Sequence, residues 1–226
     1  MELTQSQDSY GPARERFIGK TFNHLGGAIL AFTAIEVALF KSGLADIIAK
    51  AMLSMSWLVV IGAFMLIGWL ASRAAHTVTS LTAQYAALAI YVFAEAIIFV
   101  PILSIANKVA PGAIANAGLI TVLATVALVM VAYVSRKDFS FLGAILKWAA
   151  IVALILIVGG VIFGFQLGVF FSVAMIAFAG AAILYDASNV IHHYPEDRYV
   201  GAALELFASV ALMFWYVLRL LIALRD

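Results

Sequence analysis

Four acids interrupt apolar runs of this chain: Glu36, Glu95, Asp186 and Glu205. An ionisable side chain at the centre of a membrane helix costs at least about 2.5–3.5 kcal/mol on the insertion scale, so each must face the bundle interior or serve a function. Carboxylates at different depths are what a cation or proton path needs. Helical spacing supplies polar company: Gln84, Tyr91 and Glu95 share one face, Thr33 lies a turn before Glu36, and Ser209 a turn after Glu205. Ser172, Ala179 and Asp186 recur at seven-residue intervals, so a stripe of small residues leads to the aspartate. The competing reading is that each acid supports packing through a hydrogen bond to a neighbouring helix. Arg73 is the candidate counter-ion for Asp186, with snorkelling to the headgroups as its alternative.

Other chemistries find no residues. The histidines are His24, His76, His192 and His193, and no two have the i, i+4 spacing that sets metal ligands on one helix face, so no metal is expected. His192 and His193, beside Glu196 and Asp197, are a source of pH sensitivity, because imidazole changes charge near neutrality; a solvated loop accounts for them equally well. Cysteine is absent, which removes disulfides, thiolate metal sites and a cysteine nucleophile. No Gly-x-Ser-x-Gly nucleophile site occurs, and the last apolar run offers Arg219 but no lysine for a retinal Schiff base. Neither enzymatic activity nor a cofactor is therefore expected. A net charge of +1 leaves no basic surface for a phosphate backbone, so nucleic acid is not an expected partner.

The elements that carry these residues must be membrane helices. Of the 226 residues 65% are hydrophobic and 11% charged, with a mean hydropathy of +1.10. The apolar residues come in runs of about 18 or more, the length that crosses hydrocarbon. Spans are predicted near residues 22–40, 54–71, 82–104, 113–134, 146–163, 168–185 and 202–224. Backbone polar groups in hydrocarbon must be satisfied within their own segment, so the fold class is all-α, a polytopic bundle of seven transmembrane helices with the lipid bilayer as its partner. Residues 1–21 form a polar cytoplasmic amino terminus and residues 22–226 one seven-helix domain. A cleavable signal peptide fits poorly, because the first run carries Glu36 and no small-residue cleavage site.

Arg14, Arg16, Lys20, Arg73, Arg136, Lys137, Lys147 and Arg198 fall on the amino-terminal side of the bundle, against Lys41, Lys50, Lys108 and Arg225 on the other. Eight against four puts the amino terminus in the cytoplasm and, with seven spans, the carboxyl terminus outside. A bacterial inner membrane is the expected location. The last run, with Glu205 and Arg219, has a re-entrant hairpin as its alternative. Gly164, Gly168 and Ser172, at four-residue spacing, predict a close helix–helix approach.

The segment YDASNVIHHYPEDRYVGAAL, residues 185–204, followed by FWYVLRLL at residues 214–221, resembles the carboxy-terminal signature of the Bax inhibitor-1 family. The opening of the first span, Phe17 through Leu30 after an Arg-rich start, is similar too. The resemblance implies a seven-helix fold with a central last helix, and a pH-responsive acidic centre between the sixth and seventh helices. It also implies calcium leak and suppression of cell death, and for some bacterial members association with a membrane-anchored AAA+ quality-control protease. Asp186 matches the family's first aspartate. The second aligns with Ser209 in LELFASVALMF, and the asparagine expected three residues later aligns with Leu212. The carboxylate pair is thus broken, as in a bacterial subset of the family with serine there. Glu205 lies one turn before Ser209, about 6 Å away along the helix at 1.5 Å per residue. Two functions are expected on this basis: a pH-sensitive calcium or cation leak gated by Asp186 and lined by Glu205, Glu36 and Glu95, or a non-transporting regulator that binds the protease.

Overall fold

The structure is a computed structural model that describes residues 11–77 and 80–225; the side chains of Trp57, Ala75 and His76 lie outside the described residues, as do residues 1–10 of the expected polar terminus. Eight helices are described: α1 (Pro12–Lys41), α2 (Leu44–Ser54), α3 (Trp57–Thr77), α4 (Leu81–Val109), α5 (Ala113–Ser135), α6 (Leu142–Phe163), α7 (Val169–His192) and α8 (Tyr199–Ala223). Six of them, α1 and α4 to α8, are each long and apolar enough to cross a membrane. The α2–α3 pair, bent by 112°, makes a seventh when counted as one broken span. All seven predicted runs fall on these elements.

The bundle has two ends. At one, Arg14 of α1 reaches Tyr194 after α7, and His24 meets Tyr85 at the start of α4. At the other, Ala45 and Ala49 of α2 pack against Val100 toward the end of α4. Since α3 leaves α2 and brings Ser72 to Glu205 near the start of α8, it runs from the second end to the first.

Helix α8 is central and packs on α7, α1, α4, α5 and α3, as the resemblance implied. Its 25 residues are unbroken and span about 37 Å, enough for a bilayer core, so the re-entrant alternative does not hold. At the periphery, α6 turns Ile145, Trp148, Ile151, Ile155 and Ile162 outward. Water would not tolerate that surface; lipid is its natural solvent.

Three local features depart from the sequence expectation. First, α1 begins at Pro12, where fixed φ and a missing N–H suit the first helical position, ten residues before the apolar run. Its 30 residues reach about 45 Å, and the early turns bury Phe17, Ile18 and Thr21 while Arg16 and Lys20 stay exposed. Second, residues 44–54 form a short helix where the pattern of apolar runs predicts a loop; Gly43 starts it at φ +77°. Third, the Gly164, Gly168 and Ser172 stripe is not one helix face: Gly164 ends α6 at φ +73° and Gly168 precedes α7, so only Ser172 is helical. The close approach occurs elsewhere. At Gly143, in the first turn of α6, a Cβ would lie 2.9 Å from Cε2 of Tyr185 on α7.

Candidate functional site

The site is built on the turn between α7 and α8. The N–H groups of His193 and Tyr194 both donate to Asn189 O at 2.8 Å, which closes α7, and Ala202 N–H donates to Arg198 O at 2.9 Å as α8 opens. Gln84 of α4, buried, spans this joint. Its Nε2 donates to Asp197 O and its Oε1 accepts from Gly201 N–H, both at 3.2 Å. Arg14 of α1 holds the turn from the other side: Nη1 donates to Tyr194 O at 2.6 Å, and Nε lies 3.8 Å from Glu196 Oε1.

That clasp orients two acids. Tyr194 is buried and its hydroxyl donates to Glu205 Oε2 at 2.6 Å, while Ser72 of α3 donates to Oε1 at 3.2 Å. Burial first, and then the Glu205 carboxyl, push the Tyr194 phenol far above its ordinary value, so it remains a donor. One turn further along α8, Ser209 Oγ donates to Asp186 Oδ2 at 2.5 Å. The structure thus brings together Asp186, Glu205 and Ser209, and the expected Ser172, Ala179 stripe leading to Asp186 is buried on α7. Arg73 is next to Ser72, with its guanidinium 5.4 Å over the Trp69 ring.

The other two acids lie apart from this centre. Glu95, buried, has the Tyr91 hydroxyl as its hydrogen-bond partner. Between it and Glu36 stands a layer of aromatic rings: Phe32 meets Phe99 edge-on at 5.1 Å, Phe207 at 6.1 Å and Phe214 at 6.4 Å, and Phe99 stacks on Phe214 at 5.4 Å. Glu95 is one turn before Phe99 and Glu36 one turn after Phe32 on helices that run the same way, so the two acids lie roughly 12 Å apart along the axis, with the rings between them.

Outside the helices, His193 Nε2 lies 2.9 Å from Asp138 Oδ2, so its partner is the α5–α6 turn rather than the neighbouring Glu196 or Asp197. The Ser140 backbone N–H, then His193, hold the Asp138 carboxyl below its usual range. His24 is bound to Lys20 O and Tyr85. Among the described residues no group of three His, Cys, Asp or Glu side chains is arranged to hold a metal ion. Arg219 of α8 donates to Leu167 O, between α6 and α7, at 2.7 Å.

A sequence model for a family described as inhibitor of apoptosis-promoting Bax1 matches residues 14–226. The chain belongs to the Bax inhibitor-1 family. Within that family it is 35% identical over 94 residues to the modulator of FtsH protease YccA of Escherichia coli K12. The same identity holds for the inner membrane protein YccA of Escherichia coli O6:H1. The match takes in 41% of this chain and spans 42% of the length of each relative.

For this Bax inhibitor-1 protein, sequence reasoning finds the acids of the centre and Ser209, the donor to Asp186, but not Tyr194 and Ser72, the donors to Glu205. Tyr194 stood within the family-like segment, and a buried tyrosine beside an acid is the signal that was there to use. Ser72 and Arg14 gave none, because a polar residue near a helix end reads alike whether it faces water or the bundle.

Proposed function

We propose that this chain is a non-transporting regulator of a membrane-anchored quality-control protease in a bacterial inner membrane. The Asp186–Ser209 hydrogen bond carries the reading: a neutral hydroxyl at 2.5 Å occupies the position where a paired-acid switch needs a second carboxylate. Glu205 is likewise met by hydroxyls, from Tyr194 and Ser72. A calcium ion takes six to eight oxygens, several of them anionic, and this arrangement presents two separately bonded acids instead. The Escherichia coli relative's name, modulator of FtsH protease, supports the same reading. In this reading the amino terminus is cytoplasmic and the carboxyl terminus outside, as the Lys and Arg balance requires.

Crosslinking in native membranes should recover a subunit of the protease, and deletion of the gene should change the turnover of its membrane substrates. Recovery of no protease subunit together with unchanged turnover refutes the proposal.

A second reading, the pH-sensitive calcium or cation leak, draws support from acids at several depths: Asp186 and Glu205 half-buried at one end, then Glu95, then Glu36. Purified protein in liposomes loaded with a calcium dye, assayed from about pH 5 to 8, tests it, since carboxylate and imidazole charge changes bear on that range. Calcium flux that Asp186→Asn alters would establish the leak.

A further inference from the structure

Glu36 lines a cavity of about 570 Å³, and that cavity has the build of a ligand site. Helices α1 and α5 stand apart, and the space between them is floored by α4 and α8. Phe32, Phe40, Phe207 and Phe214 supply aromatic surface; Thr33, Asn107 and Thr121 are the polar residues besides Glu36. Val37 of α1 and Val122 of α5 are exposed at the rim, so the groove opens sideways, toward acyl chains rather than water.

The carboxyl group is what demands an occupant. Glu36 is 7% exposed, and neither of its oxygens has a hydrogen-bond partner among the described residues. Thr121 Oγ1, across the groove, is buried and unpartnered as well. A buried polar group without a partner costs on the order of 1–3 kcal/mol, and more when charged. Lys41 and Lys108 do not line the groove, so among the described residues no cation answers the acid there.

We infer that this groove binds a lipophilic amine drawn from the bilayer, with its ammonium against Glu36 and its apolar body among the phenylalanines. Size and lining select that class. A cavity of 300–1,000 Å³, mostly apolar with a few placed polar groups, is usual for a small organic ligand. Ten residues of a partner helix, a cylinder about 10 Å wide and 15 Å long, would need roughly 1,200 Å³. A bare divalent ion would find one carboxylate where it needs several oxygens.

The test uses the full chain in phosphatidylcholine nanodiscs, with rhodamine 6G, a lipophilic monocation bearing N–H donors, as the anisotropy probe and empty discs as the partition control. Saturable binding is expected, displaced by dodecylamine and not by dodecanol. Glu36→Gln should weaken it about tenfold or more, as loss of a charge-assisted hydrogen bond does. Gly118→Leu fills the groove from α5 without touching the acid, at a position where a Cβ meets nothing within 4 Å, and should abolish binding in a folded protein. Equal binding by wild type, Glu36→Gln and Gly118→Leu, or displacement by dodecanol as effective as by dodecylamine, overturns the inference. Wild-type protein that retains phosphatidylethanolamine in native mass spectrometry where Glu36→Gln does not supports the inference and identifies the amine as a lipid headgroup. None of these outcomes bears on the protease reading, which rests on the opposite end of the bundle.

Discussion

Replacing Gln84 by leucine should loosen the joint on which the acidic centre is built. Gln84 makes hydrogen bonds of 3.2 Å to Asp197 O and Gly201 N–H, and it is 1% exposed. Each bond contributes a net stabilisation of about 1 kcal/mol, and a buried N–H left without a partner adds about 1–3 kcal/mol more. Gly201 is buried and its N–H belongs to the first turn of α8, where no carbonyl of the helix reaches it, so that extra cost applies; Asp197 is exposed and water can satisfy its carbonyl. The sum is a loss of about 3–5 kcal/mol, and its lower end applies because the more apolar leucine offsets part of it. For a chain of this size 1 kcal/mol corresponds to about 2–4 °C in Tm, so thermal unfolding in detergent should fall by about 6–12 °C. Leucine is of similar volume, so no cavity adds to the loss. Gln166→Leu, at an exposed loop position, is the control and should leave Tm within about 2 °C, as surface substitutions do. A Gln84→Leu protein that also stays within about 2 °C of wild type would refute the claim that this side chain fixes the start of α8.

Other variants probe the neighbouring contacts. Ser209→Asp places a second carboxylate beside Asp186, where the hydroxyl now lies at 2.5 Å; if paired acids are what a leak requires, liposomes should gain pH-dependent calcium flux over wild type, and absence of any gain would show that the pair is not sufficient. Gly143→Leu forces a side chain into the 2.9 Å gap before Tyr185 and should cost about 1–3 kcal/mol, recovered in part by Tyr185→Ala; unfolding midpoints of the single and double variants decide it. Asp138 has its folded carboxyl held below the ordinary 3.8, so its contribution is present above that value and is lost as pH falls through the lower, folded one. Protection of the Ser140 amide from hydrogen exchange should therefore persist at mildly acidic pH, fade at strongly acidic pH, and be weak at every pH in Asp138→Ala; equal protection in that variant would refute the role of the carboxylate.

The spans were legible because hydrocarbon thickness imposes runs of about 20 apolar residues, and nothing in the rest of the fold alters that requirement. Helix α2 was not. Eleven residues with Asp46 and Lys50 read as a loop, and what makes them a helix is the packing of Ala45 and Ala49 on Val100, a contact between distant parts of the chain. The first ten residues of α1 were hidden for a related reason: Arg14, Arg16 and Lys20 dominate the average, while Phe17 and Ile18 are buried beside the half-buried Arg14, whose guanidinium lies over the Phe17 ring. At the site, Asp186, Glu205 and Ser209 stood out as polar residues in apolar runs. Their environment did not, because Ser72 and Glu205 are 133 residues apart and Gln84 and Gly201 are 117. The Gly164, Gly168, Ser172 spacing misled because four-residue intervals share a face only inside one helix, and a glycine with positive φ had ended α6.

The aromatic layer bears on the choice between regulator and leak. An ion travelling from the Asp186 end to Glu36 must pass Phe32, whose contacts with Phe99, Phe207 and Phe214 join α1 to α4 and α8. Moving α1 far enough to admit a hydrated ion breaks those three pairs, at about 0.5–1.5 kcal/mol each beyond the apolar area they bury. The pairs alone thus hold the open form down by about ten- to a thousandfold, at tenfold per 1.4 kcal/mol. The rings themselves carry no charge, and the titratable groups nearest the layer are the buried Glu95 and Glu36, one helical turn to either side of it. The titratable centre is at the other end of the bundle, bound to the turn that Arg14, Gln84 and Tyr194 secure. A change of charge at Asp186 or Glu205 would therefore act first on the exposed α7–α8 turn, the place where a partner protein would read it.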